Sequence, residues 1–66
     1  MPVITVDMLK GRSEQQKRDI CAAMTKSLSE IAQVDPAAIF VIINEKDAEN
    51  WSVGGETLKD SFARQE

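Results

Sequence analysis

Apolar and polar side chains alternate at the start of the chain. Ile4, Val6 and Met8 fall on one face of an extended Val3–Leu9 segment, and polar residues lie between them. This period of two predicts a strand with one buried face. The glycine of the Lys10–Arg12 segment then predicts a turn.

The next segment has the period of an amphipathic helix that runs to about Ala32. Ser13 followed three residues later by Gln16 is typical of a capping box and predicts the helix start. The apolar stripe is formed by Ile20, Met24, Leu28 and Ile31. The charged residues expected mainly on the water-facing side are Lys17, Arg18, Lys26 and Glu30.

A second strand is predicted at Ile39–Ile43, after a break at Val34–Pro36. All five of its side chains are apolar, which indicates burial on both faces of the sheet. One helix covers only one face of a two-stranded sheet, so we expect another copy of the chain to cover the other. Strand, helix and strand together predict a βαβ unit with parallel strands and a right-handed crossover.

The C-terminal part reads as a short hairpin and a final turn. Trp51–Val53 is extended, Gly54–Gly55 is a turn signal, and Thr57–Phe62 predicts a last helical turn or a docking arm. The expected fold class is therefore α+β: two parallel strands, one long helix and a short C-terminal hairpin. We expect residues 1–66 to form one domain that assembles as an oligomer.

Size and composition support the expectation of an oligomer. A chain of 66 residues has a thin core, and such domains commonly depend on disulfides, metals or association. Cys21 is the single cysteine and histidine is absent, so neither an internal disulfide nor a zinc site is expected. We interpret Cys21 as a core residue.

Charge and hydropathy narrow the possible partners. The net charge of −3 provides no basic face for phosphates, so nucleic acid is not an expected partner. The apolar run Ala37–Ile43 is too short to span a membrane, and the first residues lack the pattern of a signal peptide. These features predict a cytoplasmic protein without membrane contact.

Pro2, which directly follows Met1, is the strongest candidate for chemistry. Removal of the initiator methionine, expected before a small side chain, would leave Pro2 with a free secondary amine. An α-amino group loses its proton at about pH 7.7–8.0, close to the range in which a general base works best. The structural alternative is that Met1-Pro2 merely opens an edge strand, where proline is tolerated.

Residues Pro2–Leu58 resemble the 4-oxalocrotonate tautomerase family. The segments that carry the likeness are Pro2–Ile4, Leu9–Lys17, Val41–Glu45 and Trp51–Glu56. The resemblance implies a β-α-β subunit in a hexamer, a trimer of dimers, with pockets shared between subunits and no cofactor or metal. It also implies proton transfer between oxygen and carbon, or between two carbons, of a 2-hydroxydienoate or an unsaturated 2-keto acid.

The same resemblance assigns roles to individual residues. Pro2 corresponds to the catalytic base, and Arg12 to an arginine that binds the substrate carboxylate and draws electron density from the reacting carbon. Trp51 corresponds to an active-site aromatic, and Leu9 is expected to line the pocket. A solvated role for Arg12, interface packing for Trp51 and a core role for Leu9 are the structural alternatives.

Two departures from the family pattern change the expected substrate. Phe40 occupies the position of a second arginine that engages a dicarboxylate, so a monocarboxylate of the phenylpyruvate type, with an apolar tail near Phe40 and Trp51, is an alternative. Val53 occupies the position of a glutamate found in relatives that hydrate haloacrylates, which argues against hydration. A non-catalytic oligomeric partner subunit is a further alternative, and the choice between homo- and hetero-oligomer is open.

Overall fold

The computed structural model describes residues 1–65 and shows the predicted β-α-β order. Two short 3₁₀ turns, Pro36–Ala38 and Ala48–Asn50, flank the second strand. The strands and helices are β1 (Val3–Leu9), α1 (Glu14–Ala32), β2 (Phe40–Lys46), β3 (Ser52–Val53), β4 (Glu56–Thr57) and α2 (Leu58–Ala63).

The main sheet consists of β1 and β2 in parallel, with α1 as the connection. The register aligns Val3 with Phe40 at one end and Leu9 with Lys46 at the other. Strands β3 and β4 form a separate antiparallel hairpin. The predicted parallel pair and C-terminal hairpin are confirmed, although β2 begins one residue later and continues three residues further than the apolar run suggested.

The capping box at the start of α1 is present as the sequence indicated. The Ser13 hydroxyl accepts from the Gln16 backbone N–H at 3.0 Å, and the Gln16 side-chain oxygen accepts from the Ser13 N–H at 2.9 Å. The helix ends at Ala32, and the capping residue Gln33 has a left-handed φ of 56°. Asp35 then caps the 3₁₀ turn by accepting from the Ala37 N–H at 2.9 Å.

Loss of this capping box is expected to lower the stability of the fold. Ser13→Ala removes the acceptor for the Gln16 N–H, so we expect the free energy of unfolding to fall by about 1 kcal/mol. Ser27→Ala, at an exposed position inside α1, is the matched control and raises stability slightly because alanine favours helix. Urea unfolding measures both, and equal stability of the two variants would contradict the cap's contribution.

One face of the main sheet lies under α1 and the opposite face is open. Ile4 and Val6 are partly covered on the helix side. On the open face Val3, Phe40 and Ile42 remain 54%, 47% and 48% exposed. This is the uncovered apolar face that the sequence of the second strand predicts.

The protomer is extended for its length. Its radius of gyration is 15.5 Å, whereas a compact chain of this length has about 11 Å. Its accessible surface is 5040 Å², compared with about 4,200 Å² for a folded monomer of this mass. Within residues 1–65 only Ile39 is a buried hydrophobic residue. The chain therefore has little core of its own.

Part of the predicted apolar stripe of α1 is not covered within the protomer. Ile20 and Leu28 are partly covered, but Met24 is exposed and Ile31 is 84% exposed. Cys21, interpreted from sequence as a core residue, is only half-buried and borders a shallow groove beside Pro36. No helix in the described part of the chain is both long and apolar enough to cross a bilayer.

Candidate active site

Pro2 and Phe40 lie together at the end of the sheet where both strands begin. The Pro2 carbonyl accepts a hydrogen bond from the Phe40 N–H at 3.0 Å, and this bond fixes the Pro2 backbone against β2. Pro2 is half-buried, whereas Met1 is almost fully exposed. Removal of Met1 would therefore take away little buried surface. We call Pro2 and Phe40 the amine half-site.

Leu9 and Arg12 lie at the opposite end of the sheet. Leu9 ends β1, seven positions after Pro2, which corresponds to about 23 Å of extended strand. Arg12 follows in the loop between β1 and α1. Its side chain is exposed and forms no ion pair with any residue in the range 1–65.

Trp51 lies toward the same end as Leu9 and Arg12. It follows the Ala48–Asn50 turn, and its carbonyl accepts from the Leu58 N–H at 2.7 Å. The half-buried indole lines a shallow groove of about 290 Å³. The other residues of that groove are Asp7, Lys46, Asn50 and Ser52. We call Leu9, Arg12 and Trp51 the arginine half-site.

The structure thus places the predicted site residues at two opposite ends of the sheet. Pro2 and Phe40 are neighbours, while Leu9 and Arg12 are separated from them by the length of β1. Bending of a paired strand does not close such a gap. Pro2 and Arg12 of one protomer therefore do not lie at a common site.

Lys17 and Glu45 form an ion pair that the sequence interpretation missed. The Lys17 ammonium lies 2.8 Å from a Glu45 carboxylate oxygen, and the two side chains are only 31% and 26% exposed. The expectation that Lys17 faces mainly water is therefore wrong. The spacing gave a signal, because Lys17 precedes Ile20 by three residues and lies on the apolar side of α1.

Another ion pair lies in the C-terminal segment. Arg64 donates from Nε to a Glu56 carboxylate oxygen at 2.9 Å and from Nη2 to the other oxygen. This paired hydrogen bonding raises the pKa of Arg64. It connects the end of α2 with β4. Residues 1–65 contain no cluster of three His, Cys, Asp or Glu side chains arranged as metal ligands.

Comparisons with known proteins agree on one family. The sequence matches the family described as "Tautomerase enzyme" over residues 2–61. It is 35% identical over 60 residues to the 2-hydroxymuconate tautomerase of Bacillus subtilis strain 168, covering 91% of this chain and 97% of that protein.

Solved structures give the same result. A 4-oxalocrotonate tautomerase isozyme of Methylibium petroleiphilum superposes with a TM-score of 0.90 at 35% identity, covering 94% of this chain and 97% of that one. A heterohexameric 4-oxalocrotonate tautomerase of Chloroflexus aurantiacus gives 0.85 at 30% identity, covering 91% and 97%. The fold, the sequence match and these relatives show that the chain belongs to the tautomerase family and is an isomerase.

Proposed function

We propose that the protein is a cofactor-independent tautomerase whose active site joins the amine half-site of one protomer to the arginine half-site of another. The substrate class is a 2-hydroxydienoate or an unsaturated 2-keto acid. The observation that carries the proposal is the placement of Pro2 and Arg12 at opposite ends of β1, where about 23 Å of strand separates Pro2 from Leu9. Arg12 is exposed and forms no ion pair among residues 1–65. Membership of the tautomerase family supports the type of reaction.

The chemistry follows from the two groups. After removal of Met1, the neutral Pro2 nitrogen accepts a proton from the substrate. The proton comes either from the enol oxygen or from the carbon that is deprotonated in the reaction. The resulting ammonium returns the proton to another carbon, so the reaction has no net gain or loss of atoms or electrons. A general base of this kind contributes about 10²–10⁴ in rate.

Arg12 binds the substrate carboxylate in this mechanism. A guanidinium stays charged and forms two parallel hydrogen bonds with a carboxylate. Within residues 1–65 no acidic side chain forms an ion pair with it. Its charge also stabilises the dienolate that forms while the proton is on Pro2.

The open face of the main sheet supports an oligomeric assembly. Val3, Phe40 and Ile42 present an apolar surface beside Pro2, and burial of this surface between protomers would also exclude water from the amine. We propose a homohexamer arranged as a trimer of dimers. The heterohexameric relative from Chloroflexus aurantiacus supports the number of subunits.

The test is an ultraviolet assay of the purified protein with two enols, 2-hydroxymuconate and phenylenolpyruvate. Intact mass on the same sample reports whether Met1 has been removed. Ketonisation by material that lacks Met1 supports the proposal. Full activity in material that retains Met1 would contradict it, because the Pro2 nitrogen is then an amide.

Phe40 favours a monocarboxylate as the substrate within this class. Its side chain is 47% exposed and its backbone is hydrogen-bonded to Pro2, so an apolar substrate tail beside the amine would contact the ring. A second carboxylate at the same place would lie against the ring without a charged partner. Phenylpyruvate-type keto–enol chemistry is therefore the second candidate function.

Phe40→Arg tests this preference. We expect kcat/KM for 2-hydroxymuconate to rise about tenfold or more, since one charge-assisted hydrogen bond contributes about 1.5–3 kcal/mol. The rate with phenylenolpyruvate should fall. Phe62→Arg, at an exposed phenylalanine of α2, is the control for added positive charge. An unchanged ratio of the two substrates in Phe40→Arg would refute the role of Phe40.

A further inference from the structure

The loop that carries Arg12 is held firmly on its β1 side. The Lys10 N–H donates to the Lys46 carbonyl at 3.0 Å, which continues the sheet pairing one residue beyond β1. The Lys10 ammonium also lies 3.1 Å from an Asp47 carboxylate oxygen. Both contacts connect the start of the loop to the end of β2.

The α1 side of the loop is held as well. Ser13 and Gln16 form the reciprocal capping box, and the Lys17 N–H donates to the Ser13 carbonyl at 3.1 Å. The Lys17 side chain then reaches across to Glu45 on β2. Lys17 therefore connects the residue after Arg12 to the sheet.

The Lys17–Glu45 pair differs from the other ion pairs of residues 1–65. Its two side chains are 31% and 26% exposed, whereas in Arg18–Glu14 they are 60% and 80% exposed. Exposed pairs contribute little to stability because water screens them. A half-buried pair between a helix and a strand fixes a geometry more firmly.

We propose that Lys17 and Glu45 are positioning residues for Arg12. They fix the first turn of α1 on β2, and so they hold the loop in the orientation in which Arg12 meets a carboxylate from another protomer. This inference rests on the proposed function of Arg12. Preorganisation matters here because a displacement of about 1 Å in a binding group can reduce the rate by roughly a hundredfold.

A purely electrostatic role of Lys17 leads to a different expectation. If the Lys17 charge simply attracted the anionic substrate, neutralising Glu45 would strengthen that attraction and lower KM. If the pair acts through geometry, the same change loosens the loop and raises KM. Glu45→Gln separates the two explanations.

The experiment compares Lys17→Met and Glu45→Gln with Arg18→Met, which breaks the exposed Glu14 pair on the same helix. We expect KM for the enol substrate to rise roughly tenfold in the first two variants. The pH dependence of kcat, which follows Pro2, stays as in the wild type. Arg18→Met behaves as the wild type, and Lys17→Arg retains most of the affinity.

A double-mutant cycle with Arg12→Ala makes the test specific. If Lys17 acts through Arg12, then Lys17→Met has no further effect once Arg12 is gone. Full additivity of the two losses, or a lower KM in Glu45→Gln, would overturn the inference. An Arg12→Ala variant with unchanged kinetics would instead refute the proposed function.

Circular dichroism and light scattering establish that each variant folds and assembles. If Lys17→Met does not fold, the double variant Lys17→Glu with Glu45→Lys is used instead. This variant exchanges the two charges and restores an ion pair at the same place. Recovery of KM in the exchange variant supports positioning. Failure to recover KM in a folded exchange variant contradicts it.

Discussion

Insertion of an alanine between Met1 and Pro2 reduces kcat/KM for ketonisation by about 10²–10⁴-fold, the usual contribution of a general base. Removal of Met1 from this variant leaves alanine joined to Pro2, so the ring remains but its nitrogen is an uncharged amide. The fold tolerates a residue at this place because Met1 itself is exposed. The ultraviolet assay and intact mass measure the effect.

Pro2→Ala is the companion variant. It retains a primary amine at the same position, so we expect a smaller loss than with the insertion and a rate that still rises with pH as the amine loses its proton. A protein with the inserted alanine that keeps wild-type turnover would show that Pro2 is not the base. Unchanged circular dichroism serves as the control for folding.

Arg12→Ala is expected to reduce kcat/KM for a carboxylate substrate by about tenfold to a hundredfold for each hydrogen bond lost. Arg12→Lys keeps the charge but not the paired geometry, so its rate should be intermediate. A rise in KM reports weaker binding of the substrate carboxylate. A fall in kcat reports weaker stabilisation of the dienolate.

Arg18→Ala is the matched control for this arginine. Arg18 is also exposed, but it pairs with Glu14 on α1 and has no proposed role in binding. Wild-type kinetics in Arg18→Ala and a loss in Arg12→Ala would support the assignment. Equal effects of the two changes would mean that general positive charge, rather than Arg12, attracts the substrate.

Local signals in the sequence were sufficient for most of the fold. The Ser13–Gln16 pattern marks the helix start because capping depends only on residues three apart. Asp35-Pro36 marks the break after α1, because this signal also depends only on neighbouring residues. The apolar second strand indicated an uncovered face because each strand presents its side chains to two sides.

Non-local contacts could not be predicted in the same way. Lys17 and Glu45 are 28 residues apart in the sequence, and their pairing depends on how α1 lies across β2. A lysine can also bury its stem while its ammonium reaches a partner, so a charged residue does not mark a water-facing position reliably. The separation of the two half-sites, in contrast, follows from the predicted Val3–Leu9 strand, because Pro2 precedes that strand and Arg12 follows it.

A complementation experiment tests most directly whether the site joins two protomers. The alanine-insertion variant, which lacks the Pro2 amine, and Arg12→Ala are unfolded together, mixed in equal amounts and refolded, and native mass spectrometry confirms mixed assemblies. If Pro2 and Arg12 come from different protomers, random mixing leaves about a quarter of the sites with both groups intact, and activity recovers to that fraction of the wild type. Activity that stays at the average of the two separately refolded variants would show that Pro2 and Arg12 do not act across protomers.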